Sequence, residues 1–308
     1  MMSRRGWLMF LAMGVLWGIP YLFIKIAVRE LSSADIVFAR TFVGALLLLP
    51  IAWRRGALRP VVRLWRWLVV FATAEIAIPW LLIADAERRL PSALVGMLIS
   101  LVPIFATIFM WLVLDRTVLP RARIVGLLIG VLGVGLLLGL DALSRPMSPA
   151  NMGEILLVAF LYAVAPILAD RKLSGVPAVG VIAVSLSVVA TGYLPFAVWT
   201  LPAAWPSTTA LASLAVLAVF CTSLAFVIFF ALIAEIGPLR AGVVTFVNPA
   251  VAVFLGITVL SEPLTLGTVV GFPLVLLGSW LATRPAPGLR ERSTDIAAKE
   301  GETQPPHR

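Results

Sequence analysis

Histidine and cysteine are almost missing from this chain, which holds one of each: His307 near the C-terminus and Cys221 inside an apolar run. A single cysteine excludes an intrachain disulfide, and one histidine leaves no Cys/His set for a metal. Charge is scarce as well: 13% of the 308 residues are charged and 61% are hydrophobic, where a soluble domain holds roughly half apolar and a quarter charged residues. Signatures of catalysis are also lacking. The chain has no G-x-S-x-G, no H-E-x-x-H and no nucleotide-binding P-loop, which argues against a hydrolase, a metalloprotease or an ATP-driven pump. A paired-carboxylate intramembrane hydrolase would need a second acid facing Glu75 near mid-span, and none is found. Neither an enzyme activity, a cofactor nor a metal is expected.

What the chain has instead is apolar length. Its mean hydropathy is +1.06, and runs of about 20 apolar residues, enough to cross a hydrocarbon core, recur almost end to end. Ten spans are predicted, at 7–27, 33–53, 67–86, 91–114, 121–140, 152–170, 177–200, 209–234, 238–260 and 265–283. The expected fold class is thus an all-α integral membrane protein, with short loops joining antiparallel neighbours. The basic start and apolar centre of the N-terminus resemble a signal peptide. Its apolar segment is long for one and lacks a small-x-small cleavage site, so an uncleaved first span is expected. Residues 284–308 have the composition of a disordered tail.

The net charge of +9 has no basic stripe with interleaved aromatics, so nucleic acid is not an expected partner; the arginines report orientation instead. Thirteen basic residues fall on one side of the predicted spans, namely Arg4, Arg5, Arg54, Arg55, Arg59, Arg63, Arg66, Arg116, Arg121, Arg123, Arg171, Lys172 and Arg240. Arg29, Arg88, Arg89 and Arg145 fall on the other. The positive-inside rule then sets both termini in the cytoplasm of a multi-pass protein of the cell membrane.

Punctuating residues recur at a near-constant offset. Pro103 and Pro249 differ by 146, Gly126 and Gly271 by 145, Gly133 and Gly278 by 145. Trp17 with Pro20 pairs with Tyr162 and Pro166, and Pro50 with Pro195, at 145 or 146. Ser261-Glu262-Pro263 joins the last two spans, as Asp115-Arg116-Thr117 joins the corresponding earlier pair. Such an offset means a duplicated unit. The halves are 7–140 and 152–283, five helices each. Because five is odd, the second enters the membrane in the opposite sense, giving two inverted five-helix repeats.

The WG-x-P-x4-K pattern of Trp17 to Lys25, Arg40 in the second span, and the later G-P-x2-A-x6-N-P with S-E-P-L-T and two glycines resemble the drug/metabolite transporter superfamily, in its ten-helix branch with two EamA domains. The resemblance covers residues 7–283. It implies a secondary carrier for small metabolites, often an exporter of amino acids or related compounds, with a cavity between the halves. Tyr162 stands where a tryptophan is frequent and Phe226 where a tyrosine is, so no substrate carries over. A membrane enzyme or lipid-processing protein is the alternative class.

Site candidates are the groups that a bilayer tolerates poorly. Glu75 is the one carboxylate near the centre of a span, where an ionised acid costs at least roughly 2.5–3.5 kcal/mol on insertion scales. It binds a cationic substrate group or a coupling proton, or it is a structural acid paired with Arg40. Arg40 is itself a candidate for a substrate carboxylate, and its repeat counterpart near Ser185 carries no charge. Pro103 and Pro249 interrupt matched spans, which marks a substrate path or a kink relieved by a neighbouring helix. Asn248 adds a polar group beside Pro249, for a substrate or for an interhelical hydrogen bond. Trp17, Pro20, Tyr162, Pro166 and Phe226 complete the substrate-path candidates, with Tyr21 and Trp80 as weaker aromatic ones.

Several polar residues have blander readings. Lys25, Asp170, Arg171, Lys172, Glu235 and Arg240 are read as snorkelling ends. Asp85, Glu87, Arg88 and Arg89 are read as a solvated loop, and Glu262 as a helix cap or loop partner. Glycines 126, 130, 133, 135 and 139 permit close helix approach, within the chain or between two copies in a homodimer. The lipid bilayer and a small-molecule substrate are the expected partners.

Overall fold

The computed structural model describes residues 2–114, 121–144, 148–200, 202 and 204–283. The Asp115-Arg116-Thr117 joint, Arg145 and the 284–308 tail lie outside them. Among the described residues all regular structure is helical, and eight helices are long and apolar enough to cross a membrane: α1 (Arg4–Ala27), α2 (Ser33–Arg54), α3 (Trp65–Ala86), α4 (Ser92–Val113), α5 (Arg121–Leu140), α6 (Pro149–Lys172), α7 (Ala178–Trp199) and α8 (Thr208–Ile236). Two shorter apolar helices follow, α9 (Gly242–Thr258) and α10 (Leu266–Ala282). The chain is a multi-pass membrane protein.

The surface agrees with a hydrocarbon solvent. Leu8, Leu11, Leu46, Leu128, Val131, Leu132 and Phe254 are exposed along helix flanks, a belt that water would penalise and lipid does not. Trp53, Trp65, Trp199 and Trp205 stand exposed near span ends, as the amphipathic indole favours at an interface.

Local sequence explains where the helices begin. Ser32 and Asp35 form a reciprocal capping box at α2, with Asp35 N donating to Ser32 Oγ (3.1 Å) and Ser32 N to Asp35 Oδ2 (2.9 Å). Ser207 caps α8 and Thr265 caps α10 in the same one-sided way, accepting from Ala210 N and Thr268 N. Each cap satisfies donors that helix geometry leaves free.

The halves meet most closely where α5 crosses α10. A Cβ on Gly126 would stand 2.5 Å from Ala282 N, one on Gly133 2.7 Å from Val275 N, and one on Gly278 would collide with Gly130 backbone. The α5 glycines 126, 130 and 133 therefore serve packing within the chain. Gly135 and Gly139 have open space around them. A second crossing sets α9 on the start of α4, where Gly96 admits Ala252 and Pro249.

The matched prolines do not meet. Pro249 is buried beside Gly96, seven residues along α4 from Pro103. At the Pro103 interruption the Ser100 carbonyl accepts from Ser279 Oγ of α10 (2.8 Å), so a neighbouring helix takes up a freed acceptor. That contact suits the packing kink of the two readings above. Pro166 lies exposed on α6, apart from the polar interior.

Candidate functional site

Of the stretches that depart from α-helical winding, which include Met110–Leu114 of α4 and Gly242–Phe246 of α9, two lie at corresponding places. Thr73–Ala77 in α3 and Val216–Leu224 in α8 are π-helical. Shifting 73–77 by 145 residues gives 218–222, inside the second stretch. A π turn adds a residue to the turn and rotates the side chains that follow, which is why such bulges gather at functional sites. Here the first carries Glu75 and the second Cys221 and Thr222. Hydroxyls of the second help satisfy the widened turn, with Thr222 Oγ1 donating to Leu217 O and Ser223 Oγ to Ala218 O, each 2.9 Å.

Between these stretches lies Arg40 of α2, 7% exposed. Its Nε donates to Thr222 Oγ1 at 2.8 Å, and its guanidinium carbon sits 3.7 Å from the Trp80 ring centroid. A planar, delocalised cation suits both contacts at once. Trp80 in turn bonds the Tyr162 hydroxyl of α6, and Glu75, Tyr21 and Arg40 lie within electrostatic range of that hydroxyl. Five helices thus contribute to one polar cluster: α1 by Tyr21, α2 by Arg40, α3 by Glu75 and Trp80, α6 by Tyr162 and α8 by Thr222.

No ion pair joins Arg40 to Glu75 among the described residues. The Arg40–Glu75 pair that the sequence allows is not formed. Arg40 is held by a hydroxyl and an aromatic face, and the Glu75 Oε2 atom is buried without a hydrogen-bond partner. Because a buried unpaired acceptor is costly, native structures hold few of them. Four more occur among the described residues: Ser185 Oγ, on the repeat counterpart of Arg40, Asn248 Oδ1, Glu87 Oε1 and Glu154 Oε2. The Asn248 amide oxygen thus accepts no hydrogen bond among the described residues.

Aromatic candidates gather on one flank of the cluster. Trp17 meets Phe226 edge to face at 6.0 Å between centroids and Phe229 at 4.6 Å; Phe226 stacks on Phe230 at 6.1 Å. Phe226 also packs against the same apolar core as Tyr162 and Trp80. Pro20 is buried where α1 restarts after Ile19. The structure thus brings Arg40, Glu75 and Tyr162 together, sets Trp17 and Phe226 beside them, and leaves Pro103 and Pro166 elsewhere. Thr222 is missed in the sequence, because the π turn that aims it at Arg40 leaves no mark there.

Three comparisons now bear on this geometry. The EamA-like transporter family model matches twice, over residues 4–139 and 152–284. The chain belongs to that family. The uncharacterized transporter YvbV of Bacillus subtilis is 25% identical over 268 residues, covering 85% of this chain and 86% of its own. An uncharacterized transporter of Archaeoglobus fulgidus is 23% identical over 289 residues, 92% and 98% of the two chains. A solved crystal structure with 20% identity superposes with a TM-score of 0.64 over 90% of this chain and 96% of its own, a likeness of fold. The EamA match supplies the transporter class, and relatives with that name span nearly the whole EamA chain.

Proposed function

We propose that this chain is a secondary-active exporter of small metabolites such as amino acids or related compounds. It works by alternating access between two inverted five-helix repeats, ten spans in all, with both termini in the cytoplasm. The central cluster is its substrate site. One observation carries this reading: Arg40 and Glu75 share a low-dielectric interior without neutralising each other, and Glu75 keeps an unpartnered oxygen. A base and an acid held apart suit a ligand that bears both charges. A substrate ammonium goes to Glu75 and a carboxylate to Arg40, while Trp17, Trp80, Tyr162 and Phe226 supply apolar contact. Such a ligand relieves the cost of the unpaired acceptor, and that relief favours binding.

The test is flux in liposomes of known protein orientation, across a panel of amino acids, nucleosides, sugars and organic cations. The expected result is movement of zwitterionic solutes, lost in Glu75→Gln. If no solute in the panel moves, or if flux and its pH dependence are the same in Glu75→Gln, this reading fails.

A further inference from the structure

The charges of Asp85, Glu87, Arg88 and Arg89 make this stretch resemble a solvated loop in the sequence. Asp85 and Arg89 do pair near the surface, at 2.5 Å with side chains 32% and 45% exposed. Glu87, between them, is 0% exposed. Its Oε2 accepts from Ser92 Oγ at 2.7 Å, and its Oε1 is buried without a partner. The ammonium of Lys25, which was expected to snorkel, is directed to two backbone carbonyls, Glu87 O (2.5 Å) and Leu90 O (2.7 Å).

A second carboxylate arrives from the other half. Ser261, at φ 56°, turns the chain after α9, and Glu262 reaches across to the N-terminus of α4. Its Oε1 accepts from Ser92 N at 2.7 Å and its Oε2 from Ala93 N at 3.0 Å. The carboxylate lies where a Cβ on Gly256 would be, 2.5 Å from Oε2. Ser92 is thus held by both acids, Glu87 through its hydroxyl and Glu262 through its amide. The face of the molecule away from the N-terminus has further ties between the halves: Ser207 N and Oγ to Glu30 (2.7 and 2.6 Å), Thr200 Oγ1 to Asp35 (2.9 Å) and Arg89 to Asn151 (2.9 Å).

We propose that Glu87 is a proton-binding site that governs the closure of this face: the halves lock here while Glu87 holds a proton and part when it ionises. The hydrogen bonds allow both states. Ionised, Glu87 accepts from Ser92 Oγ. Protonated at Oε2, it donates to Ser92 Oγ, which passes its own hydrogen to the Tyr21 carbonyl at 3.4 Å. One proton is taken from solvent on closing and returned on opening, with no other reactant. The groups that act on the carboxyl are Lys25 and Tyr21 of α1, Ser92 of α4 and Glu262 of the α9–α10 connection. Arg88 is turned away, donating to the Val28 and Leu31 carbonyls and to Ser33.

Burial raises the Glu87 carboxyl from its ordinary 4.5 to about 8; the Ser92 hydrogen bond and Lys25 pull it down, and the Glu262 charge pushes it up. The sign follows directly. Below the ordinary carboxylate range both open and closed forms hold the proton and the closed form has its full stability. Between that range and about 8, closing takes up a proton, so closure weakens with each unit of rising pH. Above it both forms are ionised and the loss is complete.

The proposal builds on the two-halved carrier above, but its test needs no substrate, so failed flux and a failed switch are separate results. Amide hydrogen exchange is measured on the full chain in lipid nanodiscs from about pH 6 to pH 9, each rate divided by the intrinsic rate at that pH. Protection of 92–99 and 256–264 is expected to fall by up to about tenfold per pH unit until the carboxyl ionises. The α5 amides 126–137 are expected to stay constant. Glu87→Gln should flatten the profile, and Ser92→Ala should move its midpoint to higher pH. A flat profile in the unaltered protein, or the same fall in Glu87→Gln, overturns the proposal. If Glu87→Gln does not fold, an unmoved midpoint in Ser92→Ala overturns it equally.

Discussion

Where α5 crosses α10, the two halves touch through glycine backbones, and the buried hydroxyls nearby are satisfied: Ser279 donates to Ser100 O, and Thr268 pairs with Thr265. Where α2, α3, α6 and α8 converge, the halves touch through a buried arginine, an unpaired acid and two π turns. Evolution tolerates unsatisfied groups where they are used and removes them where they only hold the structure together. The crossing of α5 and α10 is therefore read as the fixed seam, and the polar cluster as the working part. Substitutions should separate the two: changes at the seam cost stability, and changes in the cluster cost function while leaving stability intact or improved.

The largest effect is expected from Glu75→Gln. Losing a desolvated charge contact to a substrate costs about 2–5 kcal/mol, so reconstituted flux should drop by at least about thirtyfold. Thermal unfolding of the same variant in detergent should be unchanged or shifted upward, because a buried unpaired carboxylate has been replaced by a neutral amide. Gly278→Ala should do the reverse. A methyl there meets Gly130 backbone atoms that no rotamer change can move, so a loss of about 1–3 kcal/mol is expected in denaturation. Transport per folded molecule should persist.

Glu262→Gln probes a third contact, the tie between the two halves at the N-terminus of α4. It keeps the shape of the α4 cap but removes its charge, with an expected cost of about 0.5–2 kcal/mol. It should also lower the pH at which the Glu87 closure weakens, since the Glu262 charge pushes that carboxyl up; hydrogen exchange reads both. Gly135→Ala is the smallest. Open space surrounds that glycine, so its stability should stay within about 0.5 kcal/mol of the parent or rise slightly.

The sequence made some of this visible and hid the rest for a physical reason. Spans and repeat could be read because apolar length and the Pro/Gly offsets are one-dimensional signals. The azimuth of a side chain on a membrane helix is not such a signal, since lipid and protein interior are both apolar. Arg40 and Glu75 were found as polar groups, but their separation was not, because it depends on the two π turns. Glu87 was hidden by its neighbours: Asp85, Arg88 and Arg89 make the stretch look like a solvated loop, and the fold rotates one of the four inward. Pro103 and Pro166 drew notice as helix breakers, yet one is relieved by Ser279 and the other faces outward. By contrast, the capping role given to Glu262 matches its bonds to Ser92 and Ala93.

The most direct measurement is a paired one on Glu75→Gln and Gly278→Ala, each reconstituted at matched protein per vesicle and each unfolded thermally in detergent. The account predicts lost flux with undiminished stability for the first, and reduced stability with retained flux per folded molecule for the second. Undiminished flux in Glu75→Gln would contradict it, whatever the glycine variant does.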